Sequence, residues 1–182
     1  MFWNRFFTGV AWLFWGIVAA ILFAWLLPSV AWPQARPNLK LTPGAVDSTL
    51  VADLSKVPHK VDGVEHNICA ADFVTPPFRV ATKSQKIKTA VCLAYGVTSG
   101  CPGKTWELDD IIPIEVGGQN IQLNLWPQPI AEARIKDHQV EDLLGGPHGL
   151  VCQGKIALQA AQSCVLNDWV ACAVTVKKLQ GK

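Results

Sequence analysis

The chain has 182 residues, half of them apolar, a net charge of +2 and six cysteines. That length makes one domain plus accessories. The near balance of charge excludes a strongly basic nucleic-acid binder, so any nucleic-acid contact has to come from a local patch.

Much of the apolar excess lies at the N-terminus: residues 2–27 hold four of the eight tryptophans and five of the seven phenylalanines. What remains beyond residue 36 is roughly 145 residues of ordinary soluble composition, enough to bury a core. From Phe6 to Leu27 no residue is charged, and these 22 positions would cover roughly 33 Å as a helix, the thickness of a bilayer core. Trp3, Trp25 and Trp32 flank the run where aromatic belts sit, and it has no polar face of the kind a core helix shows. The expectation is a membrane anchor over residues 1–28, with the soluble domain in the periplasm or another extracytoplasmic space. Ser29-Val30-Ala31 also fits a small-x-small cleavage site, which would release a secreted protein, but the apolar run is longer than a signal h-region. Residues 29–45, with Pro33, Pro37 and Pro43, read as a stiff linker, and residues 46–182 as the domain.

All six cysteines follow the apolar run, which suggests an oxidising compartment and up to three disulfides. No C-x-x-C pair occurs, which counts against a zinc knuckle. Cys92 with Cys101 would close a short glycine-containing loop, and Cys69 with Cys152 would tie the start of the domain to its far side. Cys164 and Cys172 would stand about 12 Å apart on a continuous helix, too far to bridge. That spacing counts against the third pair and leaves the connectivity open.

Helical spacing of Ile87, Val91 and Ala94 or Tyr95 predicts a helix over 79–95 that Gly96 stops. Lys83, Lys86 and Lys88 decorate it as a solvated face. A second helix is expected over 130–144, ended by Gly145-Gly146-Pro147, with Ile130, Ile135, Val140 and Leu143/Leu144 on one face. The pairs Asp137/Glu141 and His138/Asp142 fall at the i,i+4 spacing that brings side chains together. A third helix, 156–179, carries Ile156, Ala160, Cys164, Trp169 and Val170 as a packing face.

Between the first two helices lies the most informative stretch, TWELDDIIPIEVGGQNIQLNLWPQPI at 105–130. Asp109 and Asp110 end a short apolar run, Gly117-Gly118 make a turn, and Asn124-Leu125-Trp126-Pro127 lead into a helix. The pattern predicts two short strands and a helix, a ββα hairpin within an α+β domain. Adjacent strand residues face opposite sides, which counts against a glycosidase using the neighbouring carboxylates as its pair.

The run from Glu107 to Glu115, with Gly117-Gly118 and Asn124-Leu125-Trp126-Pro127, resembles the HNH (ββα-metal, or His-Me finger) endonucleases. It is similar in particular to small bacterial proteins of that kind with an N-terminal signal or anchor. Lys40 to Val46, Cys69 to Phe73, Arg79, Tyr95-Gly96, Val151-Cys152-x-Gly154 and Asp168-Trp169 extend the likeness over about 38–172. The resemblance implies a divalent metal (Mg²⁺ or Mn²⁺, with Zn²⁺ also fitting), no organic cofactor, and nucleic acid, DNA foremost, as substrate. It makes Asp109 a metal ligand and offers Asp137, His138 and Glu141 as further ligands. The spacing from Lys136-Asp137 to Glu141 leaves the register of that helix open. Asn124 corresponds to the asparagine that orients the general base.

The base itself is a histidine in that family, and here the position is Asp110. Phosphodiester hydrolysis needs a base near neutral pKa, and aspartate starts near 3.9 where histidine starts near 6.5. Asp110 is therefore expected to be a poorer base and an additional metal ligand, with His138 or His66 as substitutes. The expected outcomes are a weakened nuclease or an HNH-like extracytoplasmic module that binds without cleaving.

Overall fold

Strand β3 (Trp106–Asp110) and strand β4 (Leu125–Pro129) form the antiparallel ladder on which the site is built, pairing Trp106 with Pro129 and Asp110 with Leu125. The computed structural model describes residues 35–53, 60–61 and 64–181. A two-residue antiparallel pair, β1 (Lys60–Val61) and β2 (Val64–Glu65), precedes helix α1 (Gln85–Ala94) and the ladder. Helix α2 (Ile130–Lys136), a π turn (Asp137–Glu141), the short α3 (Asp142–Leu144) and α4 (Leu158–Leu179) follow it. The architecture is α+β. The expected anchor over 6–27 lies outside the described residues. Among the described residues no helix is long and apolar enough to cross a membrane.

Alternation along the ladder gives it two buried faces. Leu108 and Leu125 meet Ile87, Val91 and Tyr95 from the α1 side. Trp126 enters the larger core with Val140, Leu144, Val165 and Trp169. The connection at 111–124 is no simple turn. It sinks Ile111, Ile112, Ile114 and Val116 into the core and then reverses at Gly117, whose φ of +80° suits glycine best. Gly118 is needed for a different reason: a Cβ there would lie 1.8 Å from the Ile112 carbonyl oxygen.

Helix α1 starts later than the spacing predicts, because 3₁₀ turns at Pro76–Phe78 and Ala81–Lys83 take up the preceding residues. Ser84 then caps it, its hydroxyl accepting from the Ile87 N–H. In the second helical stretch the apolar face differs from expectation at Ile135, which is 36% exposed while its neighbour Lys136 is buried. In α4 it is Ala161, not Ala160, that faces the core, together with Val165, Trp169, Cys172 and Val176.

All six cysteines are paired: Cys69–Cys152, Cys92–Cys101 and Cys164–Cys172. Three disulfides suggest an oxidising, extracytoplasmic environment. The third corrects the argument from helix length. α4 is not continuous: Asp168 has φ −165° and ψ 102°, and the break brings the two Cα atoms to 5.2 Å. Asp168 then caps the second half, its Oδ1 accepting from the N–H groups of Val170 and Ala171.

The compact unit begins at Ala35 rather than at 46. Ala35 donates to the Glu132 carboxylate and accepts from Trp169 Nε1. Arg36 pairs with Asp168 at 2.8 Å, and the Thr42 hydroxyl bonds to that of Tyr95. The second half of the expected linker is therefore domain structure.

Candidate functional site

The end of β3 carries Asp109 and Asp110, and strand alternation sends them to opposite faces of the ladder. Asp109 points to the side covered by α2 and the π turn. There one oxygen each from Asp109, Asp137 and Glu141 lies within 4.8 Å of the others. The π turn is why Glu141 also reaches Lys136, five residues before it. In a regular α-helix positions i and i+5 diverge by roughly 140°, but the wider turn, closed by the Asp142 N–H on the Asp137 carbonyl, swings Glu141 back over Lys136.

Lys136 is the residue that patterning does not mark, and it sits at the centre. Its side chain is 1% exposed. Its Nζ donates to Asp109 Oδ2 at 2.6 Å, to the Asp110 carbonyl at 2.6 Å and to Glu141 Oε1 at 2.5 Å. Three donors meet three acceptors, which satisfies an ammonium completely. Burial alone would lower the Lys136 pKa, but the charges and hydrogen bonds of Asp109 and Glu141 outweigh it and raise it. Burial pushes the Glu141 carboxyl well up, against the pull of Lys136. The two carboxylates and the main-chain carbonyl around Nζ keep the lysine charged.

The remaining carboxylates on this side have their own cations. Arg134 donates to Asp137 at 2.8 Å and to Glu107 at 3.0 Å. Arg79 stands 3.9 Å from Glu115.

On the opposite face the Asp110 carboxyl is 4% exposed. It accepts from Asn120 Nδ2 at 3.1 Å and, at a longer 3.5 Å, from Asn124 Nδ2. Burial first, and the Asp109 charge second, push it up to about 7. Asn120 also receives the backbone and hydroxyl of Thr82 on its Oδ1, which fastens the approach to α1 onto the site. Asn124 staples the connection: its Oδ1 accepts from Ile112 N and Ala45 N, and its Nδ2 donates to the Ile112 carbonyl.

Of the residues expected from sequence, Asp109, Asp137 and Glu141 therefore converge, and Asp110 and Asn124 meet on the other face. The other expected groups stand apart from the acidic group. His138 is 74% exposed and is held by Asp142 at 3.0 Å, because the π turn directs it to solvent. Asp110 is no additional ligand through its carboxylate, since only its main-chain oxygen faces the acidic group. His66, the other substitute base, packs edge-on against Phe78 and is not part of that group.

A divalent ion does not fit these oxygens as they stand. One oxygen of each of Asp109 and Glu141, Oδ2 and Oε1, is already held by the ammonium, so an ion at about 2.0–2.6 Å from these carboxylates would sit beside the lysine charge. An ion 4 Å from Nζ would be repelled by about 8 kcal/mol at an effective dielectric of 20. Sequence spacing could have flagged Lys136 only to a reader who foresaw the π turn. Comparison of the chain with protein-family models, with curated proteins and with solved structures returned no match.

Proposed function

We propose that this chain is an extracytoplasmic domain built on an HNH-like ββα hairpin that binds a partner and does not cleave nucleic acid. One observation carries the reading: the position of the general base is an aspartate whose carboxyl is buried and tied to Asn120 and Asn124. A base must reach the proton it removes directly or through one water. Asp110 has no such exposure, and Asp109 is turned to the other face of the ladder.

The acidic character of the hairpin favours a protein partner over a phosphate backbone. Among the groups there that reach solvent, Glu107, Asp109, Glu115 and Asp137 outnumber Arg79 and Arg134, whereas nucleic-acid affinity comes from cations that neutralise phosphates. The cleaving alternative draws on a single fact, the rise of the Asp110 carboxyl to about 7, into the range of a histidine base.

A plasmid-nicking assay with Mg²⁺ or Mn²⁺ separates the two. The native protein is expected to nick no faster than Asn124→Ala, in which the connection is loosened. Nicking by the native protein that Asn124→Ala abolishes would establish the nuclease instead.

A further inference from the structure

We propose that Lys136 is the resident cation of the hairpin: its ammonium takes the position, the ligand oxygens and the charge-balancing role that an HNH-like hairpin gives to a divalent metal ion. The domain is accordingly independent of metal. The inference rests on the HNH-like reading only for the expectation of a metal at this place; the geometry stands without it.

Three features point the same way. The acceptors of Nζ are two carboxylates and a main-chain carbonyl drawn from β3 and the π turn, an all-oxygen set of the kind that hard cations take. Asp137, the remaining carboxylate of the group, is not left over for a metal, because Arg134 bonds it at 2.8 Å. The π turn, a rare irregularity found frequently at functional sites, is what lets Glu141 close on the lysine five residues before it. In a strict α-helix the two would point apart, and the ammonium would lack one of its three acceptors.

A second consequence concerns volume. The lysine stem fills the space between the ladder and α2, so the site is closed from within and not merely uncharged. Removing the stem as well as the charge should open a pocket lined by Asp109, Glu141 and the Asp110 carbonyl. Removing only the charge should not.

The test is calorimetric titration of Mn²⁺ into the native protein, Lys136→Ala and Lys136→Met, with the nicking assay run on the same samples. The native protein and Lys136→Met are expected to show no saturable site. Lys136→Ala is expected to bind one Mn²⁺ at least 100-fold more tightly than either. If Lys136→Ala is unfolded without metal, recovery of its circular dichroism with Mn²⁺ supports the proposal, and failure to recover overturns it. Saturable one-site binding by the native protein that Asp109→Asn abolishes would overturn it whether or not plasmid is cut. Cutting by a native protein that binds no Mn²⁺ would end the non-cleaving reading and leave this inference standing.

Discussion

Lys136 and Glu141 form a buried ion pair across five residues of one helical stretch, with Nζ and Oε1 at 2.5 Å. The pairing depends on the π turn between them, and it brings the two ends of a surface-type sequence, KDHQVE, into the interior of the site while His138 and Gln139 stay exposed. The energetic signature of such a pair is asymmetric: removing one partner leaves a buried charge without compensation, whereas removing both can be nearly neutral. Glu141→Gln is therefore expected to cost ~3–5 kcal/mol of unfolding free energy. Adding Lys136→Met to it should cost less than the sum of the two single losses, because Glu141 is then no longer left without its cation, although Asp109 still loses its own. Urea denaturation of the single and double variants checks this, and strictly additive losses would refute the coupling.

Asn124 is fully buried and its amide serves both sides of the connection. Asn124→Ala leaves the Ile112 N–H and carbonyl without their partners, at ~1–3 kcal/mol for each buried group. A loss of several kcal/mol is expected in denaturant melts, with amide exchange at Ile112 accelerating in parallel. An unchanged melt would mean that the connection is held by its apolar side chains alone.

Gly117 and Gly118 should respond differently to the same change. Gly117→Ala is strained through its positive φ, a cost of ~1 kcal/mol, and its Cβ would meet only a side-chain end, Gln162 Nε2 at 3.1 Å, at its nearest point. Gly118→Ala has to displace the main chain at Ile112, and its loss should be at least twice as large by thermal denaturation. Equal losses would contradict the close approach.

Acid should weaken the junction of Arg36 with α4. Slight burial would raise the Asp168 carboxyl, but the hydrogen bond from Arg36 and those from the Ala171 and Val170 N–H groups hold it below the usual carboxylate range. A depressed carboxylate contributes stability that is present above its unfolded pKa of about 3.9 and lost as pH falls through the lower folded value. Asp168→Asn is thus expected to melt below the native protein at pH 7, with the gap narrowing as pH drops below about 4. A gap independent of pH would assign the effect to capping and not to charge.

The disulfides should rank by the loop each closes. Cys69–Cys152 spans 83 residues and Cys92–Cys101 spans 9, so chain-entropy cost predicts about 4–5 and about 2–3 kcal/mol respectively. Paired Cys→Ala variants in denaturant melts check the order.

How much of this was legible depended on whether the physics was local. Alternating strands, the glycine turn and the glycine stops of the first two helices follow from spacing, and they stand; spacing offers Cys69–Cys152 and Cys92–Cys101 with the connectivity open, and both form. The third pair was not legible, because the argument assumed an unbroken helix and nothing in the residues around Asp168 announces extended backbone in mid-helix. The acidic group was readable from Asp109, Asp137 and Glu141. Lys136 was not, since a lysine between Ile135 and Asp137 reads as a solvated charge, whereas in the fold it shares the buried side of α2 with Ala133 and Ile135 lies outward. His138, in the π turn, points to solvent. The likeness to HNH nucleases, drawn over about 38–172, is a proposal, and the position at which this chain departs from it, Asp110, is also the one whose burial carries the functional reading.

The most direct measurement is lysine-selective NMR of the side-chain ammonium groups with Mn²⁺ added in small steps. A resident Lys136 cation gives one NH₃⁺ resonance protected from solvent exchange at neutral pH, and it stays sharp while exposed lysines near carboxylates broaden. Selective loss of that resonance at substoichiometric Mn²⁺ would place a metal at Asp109 and Glu141 and contradict the account.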